Sequence, residues 1–175
     1  MIIIEGADGS GKSTLAKIIC DLFDYTLIHS PGPIKHEAAV KERMYWYRAL
    51  MGTENIVVDR CFPISEFVYG PIFRGESFID TMDLIDFVTD FHMHPRNLLV
   101  FCMDHFTHKE DHEPTTHLSK SEATDLEHVA TRKSDEIREA YRKLINEFSY
   151  HFDPYVEYET VFDLTRIIEH IKGGL

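Results

Sequence analysis

Five side chains in this sequence have the types and the spacing to handle phosphate: Asp8, Lys12, Ser13, Asp59 and Arg60. Three of them lie in Gly6-Ala7-Asp8-Gly9-Ser10-Gly11-Lys12-Ser13, which fits G-x-x-x-x-G-K-S/T, the phosphate-cradling Walker A loop. Gly6, Gly9 and Gly11 let backbone N–H groups wrap around phosphate oxygens without Cβ clashes. In such a loop the Lys12 ammonium reaches the β- and γ-phosphates, and the Ser13 hydroxyl ligates Mg²⁺. With Ser10 and Thr14 the loop residues make up the expected nucleotide-binding set, and the expected ligand is a nucleoside triphosphate.

Asp59 and Arg60 close the run Ile56-Val57-Val58-Asp59-Arg60, an apolar strand ending in an acid–base dipeptide. In open α/β sheets, ligands bind beyond the carboxyl ends of the strands, so this pair emerges at the same edge as the loop. A carboxylate there holds Mg²⁺, directly or through water, or accepts a proton. A guanidinium there grips phosphate at two points. The plainer alternative for Asp59 and Arg60 is a surface ion pair.

The elements that must position these groups are legible as pattern. Met1-Ile2-Ile3-Ile4 is short, apolar and β-branched, the signature of a buried parallel strand. Leu15, Ile18, Ile19, Leu22 and Phe23 then recur at helical spacing, so a strand, a glycine turn and a helix N-terminus follow in the required order. Further strands are predicted over residues 25–29, 55–59, 97–103 and 160–163. Helices are predicted over 12–23, roughly 34–51, 80–92 and within 119–148, and a last one from Thr165, a plausible N-cap, to Gly173-Gly174. Alternation of strand and helix predicts a three-layer α/β/α domain with a five-stranded parallel sheet spanning residues 1–175.

Residues 104–118 stand apart as a polar stretch with His105, His108, His112, His117 and Pro114, followed by the capping box Ser119-Lys120-Ser121-Glu122. A loop of this length inside a compact domain reads as a lid or a disordered segment, and a lid-like segment is placed around residues 104–133. Its histidines lack the spacing of a zinc site. On the helix that follows, Ile137, Tyr141, Leu144, Ile145 and Phe148 form an apolar stripe of core packing. Arg132, Lys133, Arg138 and Arg142 lie off that stripe; surface charge is their default role, and one or two of them could close over phosphates.

Composition narrows the partners. With 18 Lys and Arg against 30 Asp and Glu, the formal charge is −12, which disfavours a polynucleotide partner and favours a single nucleotide in a local basic pocket. No apolar run is long enough to span a membrane. The first strand leads straight into the glycine loop, which argues against a cleaved leader. Cys20, Cys61 and Cys102 are scattered, as reduced thiols of the cytoplasm are. Oligomeric state is not encoded in any motif, and a homodimer is one open arrangement.

A second motif, Ser65-Glu66-Phe67-Val68-Tyr69-Gly70 followed by Arg74, points further. Together with Ile4-Glu5-Gly6-Ala7-Asp8-Gly9-Ser10-Gly11-Lys12-Ser13 and Asp59-Arg60, it resembles the thymidylate kinase-like branch of the P-loop nucleotide kinases, including small bacteriophage kinases. Val161-Phe162-Asp163 resembles that family's C-terminal V-I-D element. The resemblance implies ATP and Mg²⁺ on the loop and a nucleoside monophosphate acceptor opposite, dTMP or a 5-substituted relative. Asp8 then meets the acceptor's 3′-hydroxyl, Arg60 grips acceptor and transferring phosphates, and Asp59 stands by the Mg²⁺. Lys12, Arg60, Asp59 and Asp8 are the implied catalytic set, and Ser13 and Asp59 the implied metal ligands. Asp8, Arg43, Arg48, Arg60 and Tyr69 are the implied acceptor contacts, with Tyr45, Trp46 and Tyr47 supplying aromatic surface.

The sequence departs from the family at His29-Ser30-Pro31-Gly32-Pro33, where R-E-P-G-G-T is usual, and at Cys61 in place of Tyr or His. The rival readings are a deoxynucleoside kinase, which needs a general base near the acceptor, a kinase acting on nucleotides within DNA, and a P-loop switch protein. The N-K-x-D element of guanine-nucleotide switches is absent.

Overall fold

Ile2, Ile3 and Ile4 are all buried because both faces of their strand are covered, and the pleat sends them alternately to two separate cores. The computed structural model describes residues 1–34, 36–103, 133–159 and 161–173. Its elements are β1 (Ile2–Gly6), α1 (Lys12–Phe23), β2 (Thr26–His29), a 3₁₀ turn (Glu37–Ala39) leading into α2 (Val40–Leu50), β3 (Ile56–Asp59), α3 (Phe62–Arg74), α4 (Thr81–His92), β4 (Leu98–Cys102), α5 (Ser134–Phe152), β5 (Tyr155–Tyr158) and α6 (Val161–Gly173). The five strands form one parallel sheet in the order β2-β3-β1-β4-β5.

Side-chain alternation sets the layers. Ile3, Val58, Leu99 and Phe101 pack against Tyr47 of α2, Val68 of α3, Phe87 of α4 and Tyr141 of α5. Ile2, Ile4, Val57, Leu98 and Val100 pack against Leu15 and Ile19 of α1 and Ile167 of α6. At about 1.5–3 kcal/mol for each large apolar side chain buried, these two cores are the main favourable term in folding. The result is the three-layer α/β/α arrangement that the alternation predicts. Among the described residues no helix is long and apolar enough to cross a membrane.

Among the differences from the sequence expectations, two stand out. The last strand is not at 160–163 but at Tyr155–Tyr158, where Tyr155, Val156 and Tyr158 pair with β4 in register Leu99↔Tyr155 and Val100↔Val156. Val161 instead opens α6, so Thr165, the expected N-cap, lies inside the helix, and Leu164, Ile167 and Ile171 continue at helical spacing onto the core. Asp163 accepts the backbone N–H of Glu159 at 3.1 Å and sets a carboxylate at the positive end of that helix. The likeness of Val161-Phe162-Asp163 to a strand motif therefore does not hold here.

The second difference is α3, a helix not anticipated from the sequence because Pro63, Gly70 and Pro71 interrupt it. Pro63 sits in its first turn, where the missing N–H has no intrahelical partner to lose. Burial of Phe62, Ile64, Val68 and Glu66 outweighs the interior Pro71. In α4, Asp80 and Asp83 form a reciprocal capping box, with Asp83 N–H donating to Asp80 Oδ1 at 2.8 Å and Asp80 N–H to Asp83 Oδ2 at 3.1 Å. Most of the proposed lid segment, with its four histidines, the Ser119 capping box and Arg132, lies outside the described residues.

Candidate active site

The glycine loop rises from the carboxyl end of β1, at the centre of the sheet. Gly6 pairs in register with Cys102 of β4 and has φ +141°; a Cβ there would be driven into the Cys102 carbonyl oxygen. Gly11, at φ +83°, is the N-cap of α1 and brings no side-chain oxygen to its first turn. The leading N–H groups of α1 are thus left to bind an anion. Lys12 lies buried against the loop, its Nζ donating to the Ala7 carbonyl and standing 3.4 Å from Ser10 Oγ. Burial, helped by the charge of Arg60, lowers its pKa to about 8.

Ser13 Oγ donates to Asp59 Oδ2 at 2.9 Å, joining the start of α1 to the end of β3. Asp59 is buried, and its other oxygen, Oδ1, has no hydrogen-bond partner among the described residues. A buried carboxylate oxygen without a partner is costly unless a cation or water completes it. Mg²⁺ uses one or two protein oxygens and keeps several of its waters, so a hydroxyl beside a carboxylate is a sufficient donor set. Ser13 and Asp59 therefore fit that ion. His29, at the end of β2, places Nδ1 3.5 Å from the same Oδ2. Among the described residues, no group of three His, Cys, Asp or Glu side chains gathers as a metal cage.

Arg60 follows β3 with φ +72°, a left-handed conformation that costs a non-glycine residue about 1–3 kcal/mol. Its backbone N–H donates to the Ile4 carbonyl at 2.9 Å, which holds that turn against β1. The guanidinium is thereby aimed across the loop: Nη2 pairs with Asp8 Oδ1, Nη1 reaches the Tyr69 hydroxyl at 3.3 Å, and Cζ lies 5.7 Å from the Tyr69 ring centroid. Burial works against the charge of Arg60, but Asp8 and neighbouring groups more than offset this and raise its pKa. The structure thus gathers Asp8, Lys12, Ser13, Asp59, Arg60 and Tyr69 at one edge of the sheet.

One residue at this site was not singled out for a role in the sequence. Glu5 is fully buried, and its carboxylate accepts from the Cys61 N–H, from Ser65 Oγ at 2.8 Å, from the Tyr141 hydroxyl at 2.7 Å and from the Gly6 N–H at 3.2 Å. Burial raises its pKa, against the pull of these donors. A carboxylate closing an otherwise apolar, buried strand was the signal, since such a group must find partners within the protein.

The expected aromatic–arginine cluster on α2 does not form a single slot. Arg43 donates to the Gly32 carbonyl at 3.0 Å and the Pro31 carbonyl at 2.5 Å, bracing the segment after β2. Arg48 is turned away: in the last turn of α2 it pairs with Asp90 of α4 at 3.0 Å, at the end of the domain opposite the loop. The helix runs antiparallel to the strands, so only its start lies near the carboxyl edge of the sheet. Trp46 and Tyr47 pack edge-on at 4.7 Å, Tyr47 is buried with its hydroxyl 2.5 Å from Ser30 Oγ, and Tyr45 is exposed. Arg74 serves α3, paired with Glu66 and lying over the Phe78 ring at 4.2 Å. Lys133 donates to the Ile72 carbonyl at 2.5 Å; Arg138 pairs with Asp135 at 2.8 Å and Arg142 with Glu139 at 3.7 Å. Cys20, Cys61 and Cys102 are all free thiols, and burial pushes Cys102 up to about 12.

No protein-family model matches the chain. No curated protein matches it. Solved structures do. The YorR protein of Bacillus subtilis, determined in complex with phosphorylated GDP, superimposes with a TM-score of 0.62 at 18% identity, over 95% of this chain and 92% of that one. Deoxyadenosine kinase from M. mycoides, determined with the products dCMP and a flexible dCDP, gives 0.50 at 15% identity over 98% of both chains. At such identities the likeness is one of fold: this chain shares with those two proteins a parallel sheet covered by helices on both faces.

Proposed function

We propose that this protein transfers a phosphoryl group from ATP to a nucleoside monophosphate. The observation that carries this reading is the convergence of Lys12 and the Arg60–Asp8 pair over a loop whose helix N-terminus is left uncapped. Phosphoryl transfer asks a protein chiefly for positioning and for neutralisation of charge. The loop N–H groups and Lys12 hold the β- and γ-phosphates, while Arg60 spans toward the acceptor phosphate. Ser13 and Asp59 hold Mg²⁺, which when bound supplies further charge neutralisation at the phosphates. On leaving the Ala7 carbonyl for phosphate, Lys12 exchanges a neutral acceptor for an anionic one.

The carboxylates of the site favour a monophosphate over a nucleoside acceptor. A sugar hydroxyl needs a base to take its proton, whereas a phosphate monoester is already anionic. Glu5 is saturated by four donors, Asp59 has one oxygen on Ser13 and the other buried, and Asp8 is paired with Arg60. Asp8 remains 42% exposed, so its outer face is open to a sugar hydroxyl. The motif likeness around Asp59-Arg60 and Tyr69 supports dTMP or a related 5-substituted pyrimidine deoxynucleotide as that acceptor. An ATP-consumption screen against nucleosides, all monophosphates and an oligonucleotide tests the reading. Turnover with a pyrimidine deoxynucleoside monophosphate is the expected result; faster turnover with the free nucleoside would transfer the assignment to a nucleoside kinase.

A further inference from the structure

His29 is unexplained by packing. It ends β2, pairs in register with Asp59 across the β2–β3 ladder, and its side chain is 70% exposed. Nothing about burial calls for an imidazole there. Its Nδ1 nevertheless lies 3.5 Å from Asp59 Oδ2, the same oxygen that Ser13 Oγ meets at 2.9 Å. Around an octahedral ion with bonds of about 2.0–2.1 Å, neighbouring donor atoms stand about 3 Å apart. Ser13 Oγ stands at that spacing from Asp59 Oδ2, and His29 Nδ1 lies about half an ångström beyond it. The other oxygen of that carboxylate, the buried Oδ1, has no hydrogen-bond partner among the described residues, so the group as a whole is left short of partners.

We propose that His29 Nδ1 is a third protein donor at the cation site of Ser13 and Asp59. It shifts that site from Mg²⁺ toward transition-series divalent cations such as Mn²⁺ and Co²⁺. The reason is ligand chemistry. Mg²⁺ is a hard ion that selects oxygen, and an imidazole nitrogen adds little to its binding. First-row transition ions gain from nitrogen in the order Mn²⁺ below Co²⁺ below Ni²⁺. A hydroxyl, a carboxylate and an imidazole together make a mixed site that discriminates between the two kinds of ion. The inference rests on the reading of the glycine loop as an ATP site, since the ion arrives there with the nucleotide.

The test uses Mn²⁺ as the probe, with ATP and the full-length protein carrying ¹⁵N-labelled histidine. Pulsed electron paramagnetic resonance of the protein–ATP–Mn²⁺ complex should show a ¹⁵N coupling that disappears in His29→Ala. Mn²⁺ affinity of the nucleotide complex should fall at least about tenfold in the variant, as loss of a ligand contact does. Mg²⁺ affinity, read by competition against Mn²⁺, should change less than about twofold, because oxygen donors remain. Unfolding midpoints of the two proteins should agree, given the exposure of the side chain. A wild-type complex without ¹⁵N coupling, or equal losses for both ions, would overturn the proposal. ATP binding in Mg²⁺ is measured on the same samples. If ATP binds and the coupling is missing, only this inference falls; if ATP does not bind, the functional reading falls and takes this one with it.

Discussion

The hydroxyl of Tyr141 donates a 2.7 Å hydrogen bond to Glu5 Oε2 across 136 residues of sequence, tying α5 to the strand that carries the glycine loop. Both side chains are wholly buried. The same carboxylate fixes the first turn of α3 through Cys61 and Ser65, and it reaches the first loop residue through Gly6. Glu5 is therefore the point at which β1, α3 and α5 are held in one geometry around the glycine loop.

Removing one donor from that carboxylate should be felt as stability. Tyr141→Phe keeps the ring packed against Tyr69 and Phe101 but leaves Oε2 short of a partner. A loss of about 1.5–3 kcal/mol in urea unfolding is expected, the range for hydrogen bonds to a charged group. Glu5→Gln should cost more, because the amide nitrogen cannot accept from the donors that converge there. Equal stability of wild type and Tyr141→Phe would mean that the bond contributes nothing net.

Lys12 gives the site a pH dependence whose sign follows from its burial. Its pKa in the free protein is lowered to about 8, whereas phosphate oxygens around the ammonium favour the charged form. Nucleotide binding should then take up a proton above about pH 8, and ATP affinity should fall by up to about tenfold per pH unit beyond it. Below about pH 8 the lysine is already charged and affinity should be level. Calorimetry at pH 9 in buffers of different ionisation enthalpy measures the uptake directly. Lys12→Met should abolish both the uptake and the turnover while the protein stays folded.

Much of this site is contiguous in sequence, which is why the loop, the first strand and Asp59-Arg60 were legible: each motif carries its own positioning element. The sheet and its layers followed from the alternation of strand and helix along the chain, and α1 and α5 from apolar residues at helical spacing. What was not legible depended on tertiary context. Pro63, Gly70 and Pro71 hide α3 from any propensity argument, yet buried Phe62, Ile64 and Val68 hold it as a helix. Val161-Phe162 reads as strand when taken alone, and only the helical period running on to Ile171 reveals α6. Arg48 shares a helix with Arg43, but the helix axis carries it to the far end of the domain, a direction that residue spacing does not reveal.

That separation is itself testable. Arg48 is half-exposed and its partner Asp90 is on the surface, so Arg48→Ala should leave ATP and acceptor kinetics unchanged. Its effect on stability should stay within about 1 kcal/mol, as for most exposed ion pairs. A rise in acceptor KM on this substitution would return Arg48 to the acceptor site and require α2 to move on binding.

Arg60 joins backbone and side-chain chemistry in a single residue, and the two can be separated. Its φ of +72° disfavours any residue with a Cβ, while its guanidinium reaches Asp8 and Tyr69. Arg60→Gly removes the guanidinium but relaxes the backbone, so the variant should stay folded with little loss of stability. Its kcat/KM for the acceptor should nevertheless fall by about 10²–10³, the cost of losing a charged donor aimed at developing phosphate charge. Arg60→Lys should recover only a small part, because an ammonium cannot make the planar two-point contact. Arg60→Ala should show the same kinetic loss together with reduced stability, since alanine keeps the strain and discards the contacts. Because Arg60 is read as touching phosphate in both ground and transition states, KM for the acceptor should rise while kcat drops. Unchanged acceptor kinetics in Arg60→Gly, measured at saturating ATP, would reduce the Arg60–Asp8 pair to a structural clasp and leave the acceptor phosphate without its assigned partner.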